Sequence, residues 1–194
     1  MQGYGSLVTS FRFCDETEFG FGWVAEEKMR RCSHALVADG KVWLTDTVAW
    51  PEAEERARAL GEPAGVLQLL DRHNRDCADV AARLGVPHVK LAAGGPFEAI
   101  TLVRTRLWTE IALWWGDRRV LVTGDALGTF AYWTATGERL GVHPLFRLFP
   151  PRKLGSYEPE HVLNGHGEGL HEDATRAVRE ALRTSRRRAL RAFF

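Results

Sequence analysis

Apolar and polar positions alternate with a period near two through much of the first half of the chain, and this pattern predicts short strands. "SFRFCDETEFGFGWVAEE" interleaves aromatic and polar residues as half-buried strands do. "HALVADGKVWLTD" is two apolar runs joined by Asp39-Gly40, a favoured tight-turn pair, and reads as a hairpin. The period then changes. "PEAEERARALGE" opens on a helix-compatible proline and closes at Gly61, the usual bracket of a helix. "VLQLL" is a buried strand that delivers the chain to Asp71. From Asp76 to Leu84 the apolar residues Cys77, Val80, Ala81 and Leu84 recur at helical spacing, ended by Gly85. "VPHVKL", "AITLVRT", "TEIALWW" and "RRVLVTG" are further strands. A glycine- and proline-punctuated stretch then leads through "HVLNG" to a final helix, "EDATRAVREALRTSRRRALRAFF". Ala174, Val178, Ala181, Ser185, Ala189 and Phe193 share one face of it.

Strands first, then strands alternating with helices, fit two sheets with helices outside them, an α/β sandwich. The 194 residues suit one domain over 1–194, large enough to bury a core without staples. A net charge of +1 predicts no overall attraction to nucleic acid or anionic membrane. Cys14, Cys32 and Cys77 form no CxxC pair and read as reduced thiols. With no secretory pattern at the start and no uncharged stretch of spanning length, a cytoplasmic protein is expected.

Three loops carry polar groups directly after strand-like runs: Asp71-Arg72-His73-Asn74-Arg75-Asp76, "VLVTGDALG" with Asp125, and "VLNGHGEG" with His166. Carboxyl ends of strands are where α/β proteins collect ligands. Carboxylate and imidazole are the donor types that bind zinc, iron or manganese.

The order of these pieces resembles the metallo-β-lactamase fold family across nearly the whole chain. In that family a hairpin ends in an aspartate, here Asp46 of "VWLTD". An HxHxDH metal loop follows, here "DRHNRD". A later Gly-Asp supplies the carboxylate that bridges two metals, here Asp125 of "LVTGD", and a Gly-His-Gly loop supplies the last histidine, here His166. The resemblance implies a four-layer αββα sandwich, two mixed sheets flanked by helices, in a compact version. The departures matter too. Asp71 falls at the first histidine of the motif, His73 at the second, Arg75 at the aspartate and Asp76 at the last histidine. The family's middle histidine has no counterpart in "RTRLWTEIALWW", where Arg104 or Arg106 lies near that position.

Arg75 places a permanent positive charge where a metal ligand is expected, and arginine cannot lose its proton to become one. An arginine repels a dication and stabilises bare carboxylates. The first expectation is therefore a divergent protein with an incomplete dinuclear site. It holds no cofactor, lacks two-metal hydrolysis, and binds an anionic small molecule through Arg72, Arg75 and Arg106. The alternative is a metal-dependent hydrolase acting on a thioester, phosphodiester or lactone. There a single zinc, manganese or iron ion is held by Asp71, His73, Asp76, Asp125 and His166, with Asp125 or Asp76 as base or orienter. A third class, a scaffold or nucleic-acid partner, would act through the arginines of the last helix, which read more simply as a solvated face.

Plainer roles also exist. Asp76 suits an N-cap, Cys77 the core and His88 a strand, while His34, His143, His161 and His171 follow no ligand spacing. Phe193-Phe194 suits docking on the sheet or in a homodimer contact.

Overall fold

A computed structural model describes residues 10–73 and 75–189. The expectations for the chain start, for Asn74 and for Phe193-Phe194 lie outside the described residues.

The hairpins form where the turn chemistry places them. Strands β1 (Phe11–Thr17), β2 (Gly20–Ala25), β3 (Cys32–Ala38) and β4 (Lys41–Thr45) pair antiparallel in sequence order. Asp39 and Gly40 both have positive φ, 51° and 72°, the geometry a two-residue hairpin of this hand requires. Helix α1 (Pro51–Leu60) begins at its proline. The chain then returns as β5 (Glu62–Gln68), parallel to β4. β5 starts before its apolar run because its first residues pair with the exposed end of β4, Lys41 opposite Glu62, where alternation leaves no signal. Helix α2 (Cys77–Leu84) ends at Gly85, left-handed at φ 70°, and β6 (His88–Lys90) completes a six-stranded sheet in the order β1 to β6.

The second sheet is built from β7 (Glu98–Arg104), β8 (Thr109–Trp115), β9 (Val120–Thr123) and β12 (His161–Asn164), in the order β12-β9-β8-β7, with β12 and β9 parallel. A small ribbon of β10 (Leu127–Gly128) and β11 (Gly141–Val142) lies between β9 and β12 in sequence. Helix α3 (Ala174–Thr184) closes the described chain. It is shorter than its periodicity suggests, because Ser185–Arg188 tightens into a 3₁₀ turn. Ser185 Oγ there donates to Arg147 O at 2.9 Å, and Arg186 Nε donates to Leu148 O at 2.8 Å.

Three apolar layers follow from this order. Phe19, Leu36, Leu67 and Leu69 of the first sheet meet Ile111, Leu113, Val122 and Leu163 of the second. Ala53, Ala57, Cys77 and Val80 of α1 and α2 cover the first sheet's outer face. Ala174, Val178, Ala181 and Leu182 of α3 cover the second. The result is helix, sheet, sheet, helix, the αββα sandwich expected. Cys77 is core, as its helical phase predicts. Asp76 occupies the N-cap position without capping: its Oδ2 accepts instead from Ala49 N at 2.8 Å, tying α2 to the segment after β4. Among the described residues no helix is long and apolar enough to cross a membrane.

The β10–β11 ribbon leaves no room for a side chain. A Cβ on Gly141 would lie 1.9 Å from Trp133 O, a backbone atom that cannot swing aside, whereas one on Gly137 (φ 80°) meets open space. Gly141→Ala is therefore expected to destabilise by about 3 kcal/mol or more through overpacking. Gly137→Ala should cost only about 1 kcal/mol of left-handed strain. Denaturant melts of the two variants compare them; equal losses would contradict the assigned contact.

Candidate metal centre

Four strand-end turns converge at one edge of the two sheets. β4 ends before Asp46, β5 leads through Leu69 and Leu70 to the Asp71–Asp76 loop, β9 ends before Gly124-Asp125, and β12 before Gly165-His166. Thr123 of β9 pairs with Asn164 of β12, so Asp125 and His166 leave the sheet side by side. Gly165 allows this closeness: its N–H donates to Thr123 O at 2.8 Å, and a Cβ there would stand 2.7 Å from Gly124 O.

His73 Nε2 lies 2.8 Å, and His166 Nε2 3.1 Å, from the same oxygen, Asp125 Oδ1. The candidate ligand atoms of these three residues all fall within 4.8 Å of one another. The opposite ring nitrogens are also engaged. His73 Nδ1 is 3.1 Å from Asp46 Oδ2, a contact close enough for an ion pair though poorly aligned for a hydrogen bond. His166 Nδ1 donates to Met29 O at 2.7 Å. Asp46 is held in turn by Leu69 N, which donates to Oδ1 at 2.9 Å. Trp133 stacks on His166 at 4.6 Å and 16°, and its Nε1 donates to Asp125 O at 2.6 Å.

Arg75 sits against this group. Its Nη1 donates to Cys32 O and Asp46 O, both at 2.8 Å, and its Nη2 to Gly165 O at 2.7 Å. Nη2 is also 3.2 Å from His166 Nε2. One guanidinium thus ties together β3 and the turns after β4 and β12.

Burial and charge compete at each acid. Burial would raise the Asp125 carboxyl, but hydrogen bonds from His166 and His73 hold it well below the usual range. Asp46 follows the same pattern: burial opposes ionisation and the charges of His73 and Arg75 win. His73 is lowered by burial and by Arg75, yet Asp46 and Asp125 outweigh both and raise it. Fully buried Glu110 goes the other way. Burial and the Asp125 charge push it up to about 8 although Trp108 Nε1, Asp125 N and Ala126 N all donate to it. Burial pulls His143 down to about 4.

Of the residues singled out from the sequence, His73, Asp125 and His166 come together, with Asp46 behind and Arg75 beside them. Asp71 and Asp76 take backbone partners instead: Asp71 Oδ2 accepts from Thr109 N at 2.8 Å, and Asp76 Oδ2 from Ala49 N. Arg72 stacks over Trp108 at 4.3 Å and stands 3.6 Å from Asp71 Oδ1, on the rim. Arg106 is exposed in the turn between β7 and β8, as is Arg104 at the end of β7. Glu110, Trp133 and His143 were missed. Glu110 alone carried a signal, a charge at a core-facing position in the apolar run "TEIALWW". The last-helix arginines are in part paired within the chain, Arg176 with Asp173, Arg179 with Glu158 and Arg188 with Glu138.

The two packed sheets with helices on their outer faces have the metallo-β-lactamase fold. Solved structures agree. A metallo-β-lactamase from Pontibacter korlensis superposes with TM-score 0.63 at 11% identity, covering 90% of this chain and 99% of that one. The DIM-1 metallo-β-lactamase gives 0.55 at 12%, covering 91% and 98%. TMB-1 gives 0.50 at 12%, covering 92% and 99%. No family model and no curated protein matches the sequence.

Arg75→Met leaves three carbonyls and the buried Asp46 carboxylate without their cation, and is expected to destabilise by about 3 kcal/mol; Arg75→Lys should rescue little of it, because one ammonium cannot span the three acceptors. Denaturant titration reads both, and full rescue by lysine would refute the clamp.

Glu110 in the folded protein keeps a proton that the unfolded chain releases above 4.5, so its contribution is complete below that pH and is lost as pH rises towards about 8. His73, also raised, acts in the same direction above 6.5, while Asp125 and Asp46, both lowered, act oppositely only below 3.8. Burial pulls His143 down to about 4 and also lowers His161, so both oppose Glu110 below 6.5. The stability of chelator-treated protein should therefore fall mainly between about pH 6.5 and pH 8, and Glu110→Gln should flatten the fall. An unchanged slope in the variant would assign it to other groups.

Proposed function

We propose that this metallo-β-lactamase-fold protein has exchanged a two-metal centre for a single divalent-cation site, and that it is a metal-dependent hydrolase of this altered kind. His73 Nε2, Asp125 Oδ1 and His166 Nε2 are the ligands, and Arg75 stands in for the second ion. The observation that carries this reading is the orientation of the two imidazoles. Each has its Nδ1 against an acceptor, Asp46 or Met29 O, and each aims its Nε2 at Asp125 Oδ1. Metal-ligating histidines are held in this way by a carboxylate or carbonyl behind the ring. Two imidazoles and a carboxylate suit zinc, manganese or iron.

Two ions do not fit the same residues. Arg75 is fixed on three carbonyls, 3.2 Å from His166 Nε2, and carries charge of the wrong sign for a ligand. Asp71 and Asp76, which would have to supply further donors, are committed to backbone N–H groups. Bound at the single site, a divalent ion would lower the pKa of a coordinated water and polarise a substrate oxygen. The chain's own residues do the rest. Asp46 and Met29 O hold the ligand rings, Glu110 holds the Asp125 turn, and Arg72 on Trp108 offers a positive group at the rim for an anionic thioester, phosphodiester or opened lactone.

A second reading rests on His73 alone. Flanked by Asp46 and Asp125 and raised in pKa, it serves as a built-in cation beside Arg75, so that the pocket works without metal.

Manganese separates the two, because this hard ion prefers oxygen and nitrogen donors to thiolate. Mn²⁺ at a hundredfold excess over its Kd is expected to stabilise the protein by about 2.7 kcal/mol, read as a rise in Tm. Asp125→Ala and His166→Ala should each abolish the rise. No shift in the wild-type protein would favour the metal-free pocket. Hydrolysis of a thioester, phosphodiester and lactone panel, with and without Mn²⁺, then tests the chemistry.

A further inference from the structure

A second set of donors lies on the inner face of the first sheet, 18 residues apart in sequence and outside the centre described above. Cys14, Gly22 and His34 are cross-strand neighbours on β1, β2 and β3, so their side-chain positions share one face. Cys32, two residues before His34, shares that face by strand alternation. Asp15 should point the opposite way, being next to Cys14. A break in the β1–β2 register after Cys14 and a left-handed φ of 51° at Asp15 turn its carboxylate back to the same side, as strand bulges do. Gly22 makes the space: a Cβ there would stand 2.9 Å from His34 Cδ2, 3.0 Å from Asp15 Oδ2 and 3.1 Å from Cys14 Sγ.

Three of the donor atoms, on Cys14, Asp15 and Cys32, all lie within 4.8 Å of one another, with His34 against Asp15 and Cys32. Cys14 Sγ and Cys32 Sγ are 3.6 Å apart, and Cys32 Sγ is 3.6 Å from His34 Nε2. Asp15 Oδ2 is 3.5 Å from Cys14 Sγ, 3.9 Å from Cys32 Sγ and 3.0 Å from His34 Nε2. Tetrahedral zinc, with the usual bond lengths to sulfur, nitrogen and oxygen, separates its ligands by about 3.8 Å for sulfur–sulfur, about 3.6 Å for sulfur with nitrogen or oxygen, and about 3.4 Å for nitrogen–oxygen. The three separations among Cys14, Asp15 and Cys32 scatter around those values by a few tenths of an ångström.

We propose that Cys14, Asp15 and Cys32 form a structural cation site of the zinc class, with His34 beside them against Asp15 and Cys32. Two thiolates select zinc over harder ions, and both thiol protons leave on binding. The outer oxygen of Asp15 is held from the second sheet. Gly169 N donates to Oδ1 at 2.8 Å, and His171 Nε2 lies 3.0 Å from it, with His171 Nδ1 2.9 Å from His161 Nδ1. An ion here therefore ties the first sheet to the segment after β12. His161 and His171 border a surface cavity of about 820 Å³, and His171 stands between it and Asp15.

Cobalt(II) tests the site independently of the His73–Asp125–His166 centre, which has no sulfur. Wild-type protein titrated with Co²⁺ should develop thiolate-to-cobalt charge-transfer absorption in the near ultraviolet, and Zn²⁺ should bleach it. Asp125→Ala and Cys77→Ser should keep the band; Cys14→Ser and Cys32→Ser should lose it. Should either serine variant fail to fold, X-ray absorption of zinc-loaded Asp125→Ala protein decides, with two sulfur neighbours expected. A Co²⁺ spectrum without charge transfer, zinc with no sulfur neighbour, or an intact mass two hydrogens short from a Cys14–Cys32 disulfide would each overturn the proposal.

Discussion

The Arg75 guanidinium, bound to the carbonyls of Cys32, Asp46 and Gly165, is the constraint on which the site depends. Those carbonyls belong to β3 and to the turns after β4 and β12, segments far apart in sequence and drawn from both sheets. A planar cation with donors along two edges can satisfy them together; a spherical ammonium cannot. Each carbonyl at a strand end needs a partner once buried, and water has little access here. The clamp therefore sets the distance between sheet edges, and so the distance between His73, on its own loop, and Asp125 and His166 on the opposite sheet.

Electrostatics around the clamp is arranged by opposition. Asp46 and Asp125 stay ionised because imidazoles and Arg75 face them, whereas Glu110, next to Asp125 and cut off from solvent, is driven towards its protonated form. One of three neighbouring carboxyls keeping its proton limits the negative charge enclosed by the fold. Behind them Trp133, held by the buried Arg147, locks the Asp125 carbonyl and the face of the His166 ring, so both side chains leave the sheet in fixed directions.

The two donor clusters use one strand in two ways. Cys32 gives its carbonyl to Arg75 and its thiol to the Cys14–Asp15–His34 group, so β3 is shared by both. The sulfur-bearing cluster lies between the sheets and the sulfur-free one at their edge, so the two differ in donor chemistry as well as in place.

Periodicity and turn residues were enough to place most of the strands, the Asp39-Gly40 hairpin and the phase of α2 with Cys77 inward, because those depend on neighbours within a few residues; the four-layer αββα order came from the family resemblance of the ordered turns. The ordered turns also pointed to Asp125, His166 and His73. Tertiary structure alone decided the rest. Asp71 and Asp76 resemble ligands in sequence, yet their carboxylates satisfy the N–H groups of Thr109 and Ala49. His34 and His171 showed no ligand spacing, because their partner Asp15 reaches them through a register break and a left-handed turn that no period records. Local pattern fixes which face a side chain takes; only the meeting of distant backbones settles what waits on that face.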